Sequence, residues 1–145
     1  MKTPPLILIV EDDEDDRYLI QDAFAEAQLS CNFVFAVDGA DALAYLKKAV
    51  EPPALMLLDI NMPKLNGFEV LQKLRQDPVW KALPVVMFST STETSTITRA
   101  YQSGVNSYVL KPQTFTGLVT LLSQICNYWF DTVRIPYHTD SVSRH

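Results

Sequence analysis

Leu6-Ile-Leu-Ile-Val10 is an unbroken apolar run without alternation, the pattern of a strand buried on both faces. The period then changes. Leu19, Ile20, Ala23, Phe24 and Ala27 recur along one stripe and predict an amphipathic helix over residues 14–28. Asn32–Ala36 reads as a second strand, and Ala42, Leu43 and Leu46 mark a helix over Gly39–Lys48, closed off by Pro52-Pro53. Residues 55–58 predict a third strand, and Phe68, Val70, Leu71 and Leu74 a helix over Gly67–Gln76. Strands four and five are expected at residues 85–88 and Ser107–Leu110. Between them lies a polar, threonine-rich helix over about residues 92–103, which Gly104 ends. A last helix, residues 115–130, carries Leu118, Leu121, Leu122, Ile125 and Trp129 inward. Five strands alternating with five helices imply right-handed crossovers, hence an α/β fold: a (βα)5 doubly wound, five-stranded parallel sheet.

Composition narrows the function classes. At 145 residues the chain fits one core, read as a domain over residues 1–131 with a C-terminal tail over 132–145 and no output domain. The net charge of −5 disfavours a phosphate backbone, so no nucleic-acid partner is expected. No apolar run reaches the length of a membrane span, and the first is too short for a signal peptide and ends in acids. No membrane association is expected, and a cytoplasmic location is. Cys31 and Cys126 lack a C-x-x-C partner motif and read as reduced thiols in apolar surroundings.

The chemistry stands at the strand ends. In doubly wound sheets, ligands bind beyond the carboxyl ends of the strands, where strand order reverses. Here those ends carry Glu11-Asp12-Asp13, Asp59, Ser89-Thr90 and Lys111-Pro112. Carboxylates from neighbouring strand ends repel one another unless a cation neutralises them, and a hard divalent ion with oxygen ligands, Mg²⁺, suits such a cluster. Lys111 supplies a compact positive charge and Ser89 a hydroxyl, so the set suffices for phosphoryl transfer to an aspartate. Taken singly, each residue has a plainer role: Asp12 or Asp13 as a helix cap, Asp59 as a turn residue, Ser89 as a cap and Lys111 as a solvated side chain. Their joint occurrence at successive strand ends favours the phosphoryl site.

Ile7-Leu-Ile-Val-Glu-Asp-Asp13, Leu57-Leu-Asp-Ile-Asn-Met-Pro63 with Gly67, Val86-Met-Phe-Ser89 and Tyr108-Val-Leu-Lys-Pro112 together resemble the response-regulator receiver family, which has a flavodoxin-like fold. The resemblance implies Asp59 as phosphoacceptor and Asp12 as a direct Mg²⁺ ligand. Glu11 would act on the ion directly or through water, and the Asn61 backbone carbonyl would complete the protein ligands. Lys111 and Ser89 would contact the phosphoryl group, and Tyr108 would be the aromatic switch on the fifth strand, with Ser89 the other switch residue. Glu11 replaces an Asp common in the family, and Thr90 is bulkier than the usual small residue, which would restrict access of phosphodonors. The family implies a phospho-acceptor signalling protein fed by a sensor histidine kinase. Its enzymology would be limited to Mg²⁺-dependent self-phosphorylation and autodephosphorylation.

Glu11-Asp-Asp-Glu-Asp-Asp16, Lys111-Pro-Gln-Thr114 and the aromatic run from Asn127 to Pro136 further resemble the small regulators of cyanobacterial phytochrome kinases. That likeness implies a phytochrome-type kinase partner and a homodimer through the fourth helix, fifth strand and fifth helix. Tyr128, Trp129 and Phe130 are consecutive, so one helix face cannot bury them all. Three rival functions stand beside this one. A phosphohydrolase would place a second acid where Asn61 stands, and a flavodoxin-type cofactor binder would need a glycine-rich loop after the first strand. The third is a receiver-like interaction module that is never phosphorylated.

Overall fold

The computed structural model describes residues 4–136. Five strands, β1 (Leu6–Val10), β2 (Asn32–Ala36), β3 (Leu55–Asp59), β4 (Val85–Ser89) and β5 (Ser107–Leu110), alternate with five helices. The helices are α1 (Glu14–Ala27), α2 (Gly39–Lys48), α3 (Gly67–Gln76), α4 (Thr94–Gln102) and α5 (Phe115–Cys126). The sheet is entirely parallel, in the order β2-β1-β3-β4-β5, so the order reverses between β1 and β3.

Alternation along the central strands divides the core. Leu8, Val10, Met56, Leu58, Val85 and Met87 face α2, α3 and α4, meeting Leu46, Leu71, Leu74 and Ala100. Ile7, Ile9, Leu55, Leu57, Val86 and Phe88 face α1 and α5, meeting Ile20, Phe24, Leu118, Leu122 and Ile125. β1, β3 and β4 are buried along their whole length, which explains their apolar runs up to Asp59 and Ser89 at the ends of β3 and β4, whereas the edge strands β2 and β5 are only half-buried.

Side-chain caps start most helices where polar residues follow a strand. The Asp13 carboxylate accepts from the Asp16 N–H at 3.0 Å, and Asp38 from Asp41 at 2.8 Å. Asn66 and Glu69 form a reciprocal capping box at 3.0 and 2.9 Å. Gly104, at φ +101°, follows α4 in the left-handed region as expected of a terminating glycine.

Three details differ from the expectations. Helix α4 begins at Thr94 rather than 92, because the Ser91 hydroxyl accepts the Glu93 N–H at 3.2 Å and holds that segment in a turn. The last helix is α-helical only to Cys126. It then widens into a π-helical turn over Asn127–Thr132, with the Val133 N–H donating to the Tyr128 carbonyl at 3.0 Å. Trp129 and Phe130 pack against the α1/α5 core while Tyr128 stays outside. Leu19, one position off the centre of the α1 stripe, is exposed. Of the 132–145 tail, residues beyond 136 lie outside those described.

Candidate functional site

The sheet delivers the site. Glu11 continues β1 by one residue, its N–H donating to the Ala36 carbonyl at 3.0 Å, and this carries its side chain under the cleft floor. There it is 1% exposed. Asp59, the last residue of β3 and 6% exposed, stands beside it across the topological switch. One carboxylate oxygen from each of Glu11, Asp12 and Asp59 lies within 4.8 Å of the others. Lys111 enters from the end of β5, where its backbone N–H donates to the Ser89 carbonyl at 2.8 Å. Its ammonium reaches Glu11 at 2.8 Å, Asp16 at 3.5 Å and Asp59 at 3.6 Å.

The cleft above these groups, about 280 Å³, is lined by polar residues including Asp13, Asp16, Asn61 and Thr90. Gly67 shapes its wall. Its N–H donates to the Ile60 carbonyl at 2.9 Å, and a Cβ there would come within 2.7 Å of the Asp59 carbonyl oxygen. The side chain is absent because the backbone that carries Asp59 occupies its place.

One ammonium does not balance three acids. Burial pushes Glu11 up to about 7 despite its hydrogen bond to Lys111, and the charge of Asp59 adds to the rise. Asp59 is raised as well, chiefly by burial, with Asp12 contributing, while Lys111 and the Asn61 backbone pull the other way. Lys111 is held above its ordinary value by its bond to Glu11 and the neighbouring acids, which outweigh burial. Such an oxygen-rich, under-neutralised cluster fits a hard divalent cation.

The expected residues divide into two groups. Glu11, Asp12, Asp59, Asn61 and Lys111 converge on the cleft, and Thr90 lies at its mouth. Ser89 is buried behind it, with its hydroxyl accepting the Ser91 N–H at 3.1 Å. Tyr108 lies further off, packed against the α2–α4 core, and its hydroxyl donates to the Ser91 carbonyl at 2.9 Å. Ser91 is therefore the residue through which Ser89 and Tyr108 are joined. Sequence reasoning misses Asp16, whose carboxylate lies 3.5 Å from the Lys111 ammonium. Its signal is its place in the first turn of α1, three residues after the Asp13 cap, whose carboxylate accepts its N–H.

The model of the response regulator receiver domain matches residues 7–123. Response regulator Rcp1 of Synechocystis is 33% identical over 138 residues, covering 92% of this chain and 94% of Rcp1. Its Mn²⁺-bound crystal structure superposes with a TM-score of 0.81 at 33% identity, covering 92% of this chain and 99% of that one. The phosphorylated cyanobacterial phytochrome response regulator RcpA superposes with a TM-score of 0.84 at 35% identity, covering 92% and 99% of the two chains. RPA3017, a response regulator in red light signalling of R. palustris, gives 0.86 at 34%, covering 91% and 98%. With its parallel sheet, its acidic cluster at the β1/β3 switch and these likenesses, the chain belongs to the response regulator receiver family of two-component phosphorelays.

Proposed function

We propose that the chain accepts a phosphoryl group on Asp59 from the phosphohistidine of a phytochrome-type sensor kinase in the cytoplasm. It then signals through a changed protein surface. The observation that carries this reading is the cluster itself: Asp59 at the end of β3, 3.6 Å from the Lys111 ammonium and grouped with Glu11 and Asp12. An Asp59 oxygen attacks phosphorus, the phosphorus–nitrogen bond to the histidine breaks, and an aspartyl phosphate forms. Asp12, Glu11, Asp59 and the Asn61 backbone carbonyl would hold Mg²⁺. When bound, the ion neutralises charge on the phosphoryl oxygens. Lys111 leans toward the transferred group, and Ser89 turns its hydroxyl from the Ser91 N–H to a phosphoryl oxygen. Such transfer needs chiefly positioning and charge balance, which this set supplies. The kinase assignment is supported by the likeness to RcpA, Rcp1 and RPA3017.

The domain on this reading spans 1–131, and its output surface is α4, β5 and α5, used for homodimer formation. Edge strand β5 and α5 frame a groove of about 330 Å³ lined by Val109, Leu121, Ile125, Tyr128 and Trp129, among others. Leu110 (47% exposed) and Tyr101 (50%) extend that face.

Intact mass after incubation with Mg²⁺ and acetyl phosphate tests the chemistry, beside an Asp59→Asn control and with size-exclusion chromatography of both. One phosphoryl on the wild type alone, with earlier elution, is the expected result. If acetyl phosphate and candidate phospho-kinases all leave the mass unchanged, the interaction module takes its place.

A further inference from the structure

Cys31 and Cys126 take no part in this chemistry. They are the chain's two cysteines, 95 positions apart in sequence, yet the fold brings their sulfurs to 3.2 Å. Cys31 stands half-buried just before β2, and Cys126 is the buried last residue of α5. A single buried cysteine is an ordinary small hydrophobe. Two in contact are each other's nearest reaction partner, and such proximity makes an encounter effectively unimolecular. They do not form a metal site. Among the described residues, the group of three or more possible ligands is Glu11, Asp12 and Asp59, so the thiols lack the further donors a zinc centre requires.

We propose that Cys31 and Cys126 are a redox modification site that closes reversibly into an intrachain disulfide. The sulfurs must draw in from 3.2 Å to ~2.05 Å. Side-chain torsions can supply that change at Cys31, which lies outside regular structure.

The two thiols are unequal. The hydrogen bond with Cys126 favours the Cys31 thiolate, against the opposing effect of burial. Cys126 is pushed strongly the other way, by the same bond to Cys31, by burial and by the nearby Asp131 charge. Cys31 is also the more exposed, so it meets the oxidant first. Its thiolate attacks one oxygen of hydrogen peroxide; the O–O bond breaks, a sulfenic acid forms, and the other oxygen leaves as water. The Cys126 sulfur then attacks the Cys31 sulfur. The S–O bond breaks, and the hydroxyl departs as a second water with the Cys126 proton. The two thiols together give up two electrons and two protons, and one peroxide becomes two waters. A dithiol reverses the cross-link by exchange.

The bond would pin the end of α5, just where it widens into the π-helical turn bearing Tyr128 and Trp129, to the start of edge strand β2. By constraining the unfolded chain across 95 positions, it should raise the melting temperature by several degrees.

The test takes the reduced full chain, treats it with one to a few equivalents of hydrogen peroxide, and reads intact mass and thiol alkylation under denaturing, non-reducing conditions. The expected product is a monomer lighter by about 2 Da that takes up no iodoacetamide. Dithiothreitol should restore two alkylation sites and the lower melting temperature. Cys31→Ser and Cys126→Ser should each abolish the mass loss. The wild-type comparison with and without dithiothreitol needs no variant to fold. Two alkylations surviving the peroxide, independent oxygen additions on each cysteine, or covalent dimers as the main product would each overturn the proposal.

Discussion

Glu11 meets Lys111 at 2.8 Å, yet its carboxyl is held near 7 because burial and Asp59 outweigh one ammonium. The consequence for stability has a definite sign. Folding lifts this acid from an ordinary value of 4.5, so the folded chain binds protons more tightly than the unfolded chain. The stabilisation is fully present below about 4.5 and is lost as pH rises through about 7. The raised Asp59 acts in the same direction. With a chelator present, urea midpoints should therefore fall between pH 5 and 8, by a free energy on the order of 1–3 kcal/mol. Saturating Mg²⁺, which binds only ionised carboxylates, should flatten or reverse that fall, and so should Glu11→Gln without the ion. A chelated wild type whose midpoint rises with pH would contradict this account. Gly67 offers a second test at this scale. Alanine normally favours a helix over glycine by about 1 kcal/mol. Here its Cβ would press on the Asp59 carbonyl oxygen at 2.7 Å and the Ile60 Cα at 2.9 Å, both backbone atoms that cannot turn aside. Gly67→Ala should cost a net ~1–3 kcal/mol in denaturant unfolding, with phosphoryl uptake reduced because the displaced backbone carries Asp59, the proposed acceptor.

At the scale of elements, β4, the turn before α4, and β5 are tied together at Ser91. Its N–H is taken by the Ser89 hydroxyl at 3.1 Å and its carbonyl by the Tyr108 hydroxyl at 2.9 Å. If a phosphoryl group draws the Ser89 hydroxyl away, the Ser91 N–H loses its acceptor and the turn must find a new arrangement. Tyr108, packed against the α2–α4 core, then registers that change on β5. On the proposed function this would be a local electrostatic event biasing a two-state surface. Tyr108→Phe keeps the ring and removes one hydrogen bond, a difference of about 0.5–1.5 kcal/mol. It should leave the phosphorylated mass unchanged and weaken phosphorylation-linked dimer formation by several-fold in sedimentation. Ser89→Ala should go further and remove the elution shift while some phosphorylation persists. An unchanged shift in phosphorylated Ser89→Ala would exclude Ser89 as the link.

Across the whole molecule, what was legible in the chain follows from period and placement. The central strands announced themselves because burial on both faces demands unbroken apolar runs, and the acids stood out because they follow those runs directly. Glu11, Asp12, Asp59 and Lys111 are thus assigned to one end of the sheet by their order along the chain, and the structure brings all four to one cleft. Features made by tertiary contact alone were hidden. Nothing local marks Cys31 and Cys126 as neighbours, and no composition rule distinguishes a π-helical turn from a continued α-helix at Asn127. That turn decides which ring of Tyr128-Trp129-Phe130 stays outside. Tyr128 does, 52% exposed and edge-on to Trp129 at 5.2 Å, on the rim of the β5/α5 groove. In a two-fold symmetric dimer each interface residue is used twice, so a single substitution alters both halves of the contact. Tyr128→Glu would bring two new carboxylates to the interface, near the Asp131 already on the same turn. Dimer affinity of the phosphorylated chain should fall at least about tenfold, equivalent to ~1.4 kcal/mol. Intact mass should still show one phosphoryl, since Tyr128 is not among the residues lining the acidic cleft. An elution shift that survives in fully phosphorylated Tyr128→Glu would remove the end of α5 from the dimer surface and leave α4 and β5 to form it.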